Sequence, residues 1–481
     1  MSWHASYRER VLAPDYRFAG TYLLGHLLDS LTAHVRTVAR LPSTQNEEAQ
    51  HDIARLNAAL LALHDQPLPP YRPEVPDAYF ALNQKLEAAL GSRPVGYLRM
   101  GLSRNDLDMT VYKMRAREVL LNIASQLLAL RYALLAHAQA QTDTVLIAHT
   151  HHQPGQPITV AHYLCAIDNV VARDQERLFA AYARLNTCPL GAAALAGSSH
   201  PLDRPYTAML LGFDAPVDNT YDAVASSDWQ VEVVGVSQSC ALNLSRFVCD
   251  LLSWVSQGTY RLGDGLVQGS SIMPQKRNPV ALEHARTRFS RAIGAAQMVL
   301  YSSHNIPYGD LNDFGPDVQG ALQTQYLQLS GGLALLSASL EEGRFDTEVL
   351  EDFARATDTT ATELADELVR RCGLSFQEAH ALVGRLVARA NERGDKLQQL
   401  TPEDVSALGG PPLDIEILKD ALDPHAFVRR RTGYGGPAPE VVHEQLTRAR
   451  SRLNQDLAWV QGTRDGLDRA RQKLHTLEED T

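Results

Sequence analysis

Gly269-Ser270-Ser271-Ile272-Met273-Pro274-Gln275-Lys276-Arg277-Asn278-Pro279 is the stretch on which the reading of this chain turns. Two prolines bracket a lysine and an asparagine, and two small hydroxyl residues follow a glycine. Gly263, Gly265 and Gly269 punctuate the approach, so the backbone can take positive φ at little cost. Such a loop is either a surface connection or a carrier that brings a base, a cation and an amide donor into one pocket. Function often sits on loops held by a rigid scaffold.

The scaffold is read from the sequence on either side. A helix is predicted from Pro279 to about Ser302, with Glu283 in its first turns, and another from about Asp317 to Leu340 that must tolerate Gly331-Gly332. Upstream, Trp229–Gln257, Gln156–Leu185 and Val111–Gln139 carry dense apolar content, in the last case at spacings of three and four, which is the pattern of long, largely buried helices. Strand signals are scarce. Shorter helices (Thr21–Ala39, Glu47–His64, Asp77–Leu90) precede this region around a proline-rich link, Gln66–Pro76. Ala361–Cys372, Ser375–Glu392 and Pro402–Ser406 follow it, and Pro439 opens a charged, solvated or partner-facing helix reaching almost to Thr481. The expected fold is all-α: a long central five-helix bundle (104–343) flanked by two smaller helical domains (1–103 and 344–481). So many long helices with few inward charges also point to oligomer packing.

The formal net charge of −11, with no basic block, argues against nucleic acid as a partner. The first ten residues have no apolar signal-peptide core, and no apolar run approaches the ~20 residues of a membrane helix. The five cysteines show no paired metal spacing and read as small buried hydrophobes in a reducing, cytoplasmic setting.

Three loop-like segments hold groups suited to acid–base work: Ser103-Arg104-Asn105-Asp106, His149 to Pro157, and the opening loop with Glu283 beyond it. Adjacent histidines at 149, 151 and 152 diverge and lack helical i, i+4 partners, so a hydrogen-bonding role is favoured over metal. Ser103 or Asn105 also reads simply as a helix N-cap, and Glu283 as a first-turn dipole partner. No phosphate-loop or dinucleotide glycine pattern is present, and no cofactor is expected.

The loop Gly269–Pro279 resembles the signature loop of the fumarase/aspartase superfamily. Ser103 to Asp106, Thr150-His151-His152-Gln153, Pro189–Arg204, Asn219–Glu232 and Gly435–Leu446 are most similar to argininosuccinate lyase. The resemblance covers about residues 95–450. It implies a homotetramer with a twenty-helix core, active sites each shared by three subunits, and elimination from a succinyl group to release fumarate. By similarity Ser270 is the base, Lys276 and Asn278 stabilise the aci-carboxylate, and His151, oriented by Glu283, is the acid. Ser103, Arg104, Asn105, Thr150, Gln153, Ser271 and Met273 would bind the succinyl substrate.

The chain also departs from that family. Ser226-Ser227-Asp228 stands where an Asp-Arg-Asp run is usual, and the segment Tyr308–Asp313 is shortened, without the family's glutamine and lysine. The expectation is therefore a fumarate-releasing lyase with a leaving group other than arginine. A genuine argininosuccinate lyase and a non-catalytic, crystallin-like oligomer stand as alternatives.

Overall fold

A computed structural model describes residues 3–476, and helix dominates them. Helical turns from Ala5 lead into α1 (Leu24–Ala39), followed by α2 (Glu47–Ala62), α3 (Ala78–Leu90) and α4 (Arg104–Ala140). Ser103 caps α4 in a capping box, its own N–H given to Asp106 at 3.0 Å. No glycine or proline interrupts the 37 residues that follow. An 18-residue window of α4 has a mean hydropathy of 1.6, enough by composition to cross a membrane, where the sequence reading found no such run. Of that window 67% is buried inside the protein, as suits the core helix of a bundle. Arg131 within α4 is also buried, paired with Asp168 at 2.9 Å and with Asp456.

A β-hairpin comes next: β1 (Val145–Thr150) pairs antiparallel with β2 (Gln153–Thr159), with a bulge between Ile147 and His149. This corrects the expectation of a loop at His149–Pro157 and of helix from Gln156. Pro154 and Pro157 bias their neighbours toward extended backbone, so helix starts only where Thr159 caps it, accepting from His162 N at 3.0 Å.

The helices α5 (Val160–Leu185), α6 (Thr220–Ala225), α7 (Asp228–Gln257), α8 (Val280–Ser302) and α9 (Pro316–Glu341) follow. The five long ones, α4, α5, α7, α8 and α9, pack side by side in a bundle and alternate in direction. A Cβ on Gly332 would lie 2.6 Å from the Phe289 ring, so the glycine pair lets α9 approach α8. At one end, the cap end, lie Ser103 and the segments 186–227 and 303–315. At the other, the flap end, lie the hairpin and the segment 258–279, which Tyr260–Arg261 ties to Arg344–Phe345 as a two-residue antiparallel pair.

Beyond the bundle run α10 (Thr347–Ala356), α11 (Ala361–Cys372), α12 (Phe376–Arg393), α13 (Ile415–Leu422), α14 (Pro424–Arg429) and α15 (Pro439–His475). Leu364, Leu368, Leu386, Leu397 and Leu418 form a separate core around α11 to α13, while α10 and α14 pack on the hairpin. The last helix was expected to be solvated or to face a partner, and most of its residues are exposed or half-exposed, but one face is packed. That face lies along α4 and α5, with Val442, Leu446, Ala449 and Val460 buried and Trp459 4.0 Å from Phe179 between ring centroids. Its expected reach toward Thr481 falls outside the described residues. All five cysteines are free: three are buried, Cys372 is half-buried, and Cys249 is exposed, against expectation.

Candidate active site

The cap end is built around a carboxylate. Asp106, 0% exposed, accepts N–H groups from Ser103 (3.0 Å), Gly191 (2.8 Å) and Ala193 (2.9 Å), which fastens the 189–204 segment to the start of α4. Burial pushes this carboxyl up to about 6, while the amides pull it back. Gly101 sits at φ +70, and a Cβ there would lie 2.8 Å from Ser198 Oγ, so the turn before Ser103 needs glycine to touch the same segment.

Ser103 Oγ donates to Asn105 Oδ1, and Asn105 Nδ2 donates to Asp310. Arg104 is occupied by carboxylates, bonding Asp77 and, at 2.8 Å, Asp108. The 303–315 segment is bound to α6: Tyr221 and Tyr308 stack at 5.8 Å, Tyr221 Oη donates to the Tyr308 carbonyl at 2.8 Å, and Tyr308 Oη donates to Asp222 at 2.6 Å. Beside Asn105 opens a cavity of about 570 Å³, whose walls include Asp15, Asp77, Asp108, Asp310 and Asp317. Burial, with Asp317 nearby, pushes Asp15 up to about 6.

At the flap end, Thr150 and Gln153 pair across the hairpin tip, and His151 and His152 form the two-residue turn, with φ of 53° and 61°. Positive φ at both central residues is the type I′ requirement, normally met by Asn-Gly. All four side chains are exposed. His149 Nδ1 contacts the Ile147 carbonyl at 3.0 Å, and its ring stacks on Phe353 at 6.1 Å, a structural role for one histidine of the three.

The loop 269–277 is clasped at its base, where Gln268 and Asn278 exchange backbone hydrogen bonds of 2.9 and 2.8 Å, and where Arg277 reaches Asp264 and the Leu262 carbonyl. Beyond the clasp it stands in solvent: Ser271, Met273 and Lys276 are exposed, and Ile272 is 83% exposed. Ser270, half-buried, accepts the N–H groups of Ile272 (3.3 Å) and Met273 (3.2 Å) on its Oγ. Two amide donors on one hydroxyl oxygen favour negative charge there. Among the described residues Lys276 makes no ion pair. Glu283, exposed in the first turn of α8, makes no hydrogen bond to His151 within the chain.

A single chain therefore brings Ser103 and Asn105 together with Asp310 and Tyr308, and separately presents the hairpin tip and the flap. It does not unite the two groups, because α4 alone spans 37 residues, about 55 Å at about 1.5 Å per residue. The clamp on Asp106 and the Tyr221–Tyr308–Asp222 cluster escaped the sequence reading, although their residues lie in segments it had singled out, Tyr308 in the one marked as a departure from the family.

Two family models match the chain: one described as Lyase over residues 28–294 and one described as Argininosuccinate lyase C-terminal over residues 358–429. Argininosuccinate lyase of Methanocorpusculum labreanum is 36% identical over 83% of this chain and 82% of its own length. The solved structure of EDDS lyase in complex with formate superposes with a TM-score of 0.84 at 30% identity, covering 98% of this chain and 95% of that one. An EDDS lyase variant with bound fumarate gives the same TM-score at 29% identity, with the same coverage of both chains. A long-helix bundle with a serine-bearing flap, matched over this length, belongs to the fumarase/aspartase superfamily of lyases. Within that superfamily the chain is most like argininosuccinate lyase.

Proposed function

We propose that this chain is a carbon–nitrogen lyase that eliminates an amine from an N-succinyl substrate and releases fumarate. The observation that carries the reading is Ser270, whose Oγ receives two amide N–H groups on a flap that also holds Lys276 and Asn278. Ser270, as the alkoxide, takes a proton from the carbon next to a carboxylate. The electron pair moves into that carboxylate, where the Lys276 ammonium and the Asn278 amide offset the added charge. It then returns to form the carbon–carbon double bond as the carbon–nitrogen bond breaks. His151, oriented by Glu283, gives the departing nitrogen its proton. Ser103, Asn105, Thr150 and Gln153 hold the substrate carboxylates, with Arg104, Ser271 and Met273 around them. No cofactor takes part in this scheme.

Because these groups lie at opposite ends of a bundle, the reading requires assembly: a homotetramer with a twenty-helix core, each site drawn from three subunits. Large apolar side chains left exposed on the bundle helices support it, among them Tyr132, Leu242, Met298, Tyr301 and Leu327. We also place the enzyme in the cytoplasm, where free thiols persist.

The cavity beside Asn105, where Arg104 offsets Asp77 and Asp108 but Asp15, Asp310 and Asp317 remain on the wall, suits a cationic leaving group. The missing arginine near Ser226–Asp228 and the shortened 308–313 segment favour an amine other than arginine. Genuine argininosuccinate lyase is the second reading, favoured by the relative at 36% identity. Retention of Ser270, Lys276, Asn278, His151 and Glu283 weighs against a non-catalytic oligomer. The test is fumarate release, followed by ultraviolet absorbance, from a panel of N-succinyl amines that includes argininosuccinate. Faster release from another member than from argininosuccinate supports the first reading. The reverse supports the second, and release from none sinks both.

A further inference from the structure

We infer that Asp29, His64 and His475 form a binding site for a divalent transition metal that ties the N-terminal helices to the end of α15. The three residues come from α1, from the turn after α2, and from the last residue of α15, and their potential ligand atoms all lie within 4.8 Å of one another. Both imidazoles turn the same nitrogen toward the same oxygen: Nε2 of His475 is 2.7 Å from Asp29 Oδ1, and Nε2 of His64 is 3.3 Å from it. His64 Nε2 is buried and makes no hydrogen bond at that distance, so a ring nitrogen is left unsatisfied in the interior. An ion between the three would satisfy both rings and the carboxylate.

Tetrahedral bonds of about 2.0–2.1 Å place ligand atoms about 3.3 Å apart. His64 stands at that distance from Asp29 Oδ1, His475 would withdraw from it by about 0.6 Å, and the two imidazole nitrogens, within 4.8 Å of each other, would settle at a similar separation around the ion. Two imidazoles and one carboxylate suit Zn²⁺, Co²⁺ or Ni²⁺ rather than Mg²⁺ or Ca²⁺, which take oxygen ligands. The surroundings hold the ligands in place. Arg471 Nε lies 3.4 Å from Asp29 Oδ2, leaving Oδ1 for the metal, although its charge weakens cation binding. Arg36, two turns along α1 from Asp29, donates to the carbonyls of Lys473 (2.7 Å), Leu474 (3.2 Å) and Thr476 (3.0 Å), which fixes the backbone around His475. Asp29 and His64 also border a cavity of about 570 Å³ between α1, α4 and α15, which leaves room for a fourth ligand such as water. None of the three residues belongs to the proposed elimination site, so this inference stands apart from the proposed function.

The experiment is a titration of full-length, chelator-treated protein with Co²⁺, read by its visible d–d absorption, and with Zn²⁺, read by calorimetry. One ion per chain is expected, with a rise in Tm. His475→Gln and Asp29→Asn should each weaken binding on the order of 100-fold while leaving the circular dichroism spectrum and fumarate release unchanged. The inference is overturned if wild type takes up no ion, or if the double variant His64→Asn/His475→Gln binds Co²⁺ with the same stoichiometry and spectrum.

Discussion

The two ends of the bundle are built on opposite plans. At the cap end a buried carboxylate gathers three amides, and Asn105 and Tyr308 are already hydrogen-bonded to neighbours. At the flap end the chain is clasped at Gln268 and Asn278, and the segment beyond the clasp stands in solvent. One end is held by hydrogen bonds within the chain; the other leaves Ser271 to Arg277 exposed beyond the clasp. Both ends carry backbone strain. Every non-glycine residue at positive φ among those described lies there: His151 and His152 at the flap end, Ala193, Leu195 and Asn305 at the cap end. Strain of this kind persists only where neighbouring structure enforces it, and it accords with the proposed placing of the site at the two ends.

If the flap end does the chemistry, Ser270→Ala should lower kcat on the order of 10³-fold while substrate still binds, measured by fumarate release and calorimetry. Retained turnover would remove the flap end from the mechanism. The division of labour between ends has a sharper test. Ser270→Ala and Asn105→Ala, each inactive alone, should recover activity when unfolded together and refolded into mixed tetramers. In a symmetric assembly with equal mixing, about a quarter of the sites draw both residues from native contributions. No recovery would mean that Ser270 and Asn105 do not serve one shared site.

The cap end should fail through stability. Asp106→Ala leaves the buried amide of Gly191 and the half-buried amides of Ser103 and Ala193 without their acceptor, at about 1–3 kcal/mol for each group that stays unsatisfied. We expect a net loss of about 3 kcal/mol by denaturant unfolding, with Asp106→Asn, which keeps one acceptor oxygen, losing less. Equal losses in the two variants would mean that the carboxylate does not act by gathering amides.

This contrast also explains what the sequence discloses. The flap, Ser103–Asp106 and Thr150–Gln153 stand out in the sequence by their polar residue types, but it is their resemblance to the superfamily's motifs that proposes roles for them. The five long helices are legible because their apolar spacing is local. The clamp is not, because Asp106 finds Gly191 85 positions away and Tyr221 meets Tyr308 across 87, and nothing in either segment names its partner. The hairpin was missed for a different reason. His151-His152 lacks the Asn-Gly signature of its turn, so a strained type I′ geometry gave no turn signal. The packed face of α15 was hidden by the charges on its other faces, which dominate its composition.

That missing signature yields the smallest effect and the most discriminating one. A non-glycine residue at αL costs roughly 1–2 kcal/mol, and glycine gives back about 0.5–1 kcal/mol of this in lost chain entropy. His152→Gly should therefore stabilise the fold by about 0.5–1 kcal/mol, read as a higher denaturant midpoint with an unchanged slope. His151→Gly should show the same gain, since its φ is similar, yet lose turnover because the imidazole is gone. If both variants gain stability and only His151→Gly loses activity, the strain at the tip is the cost of presenting one catalytic ring. If neither gains, the tip is not strained, and backbone strain is confined to the cap end.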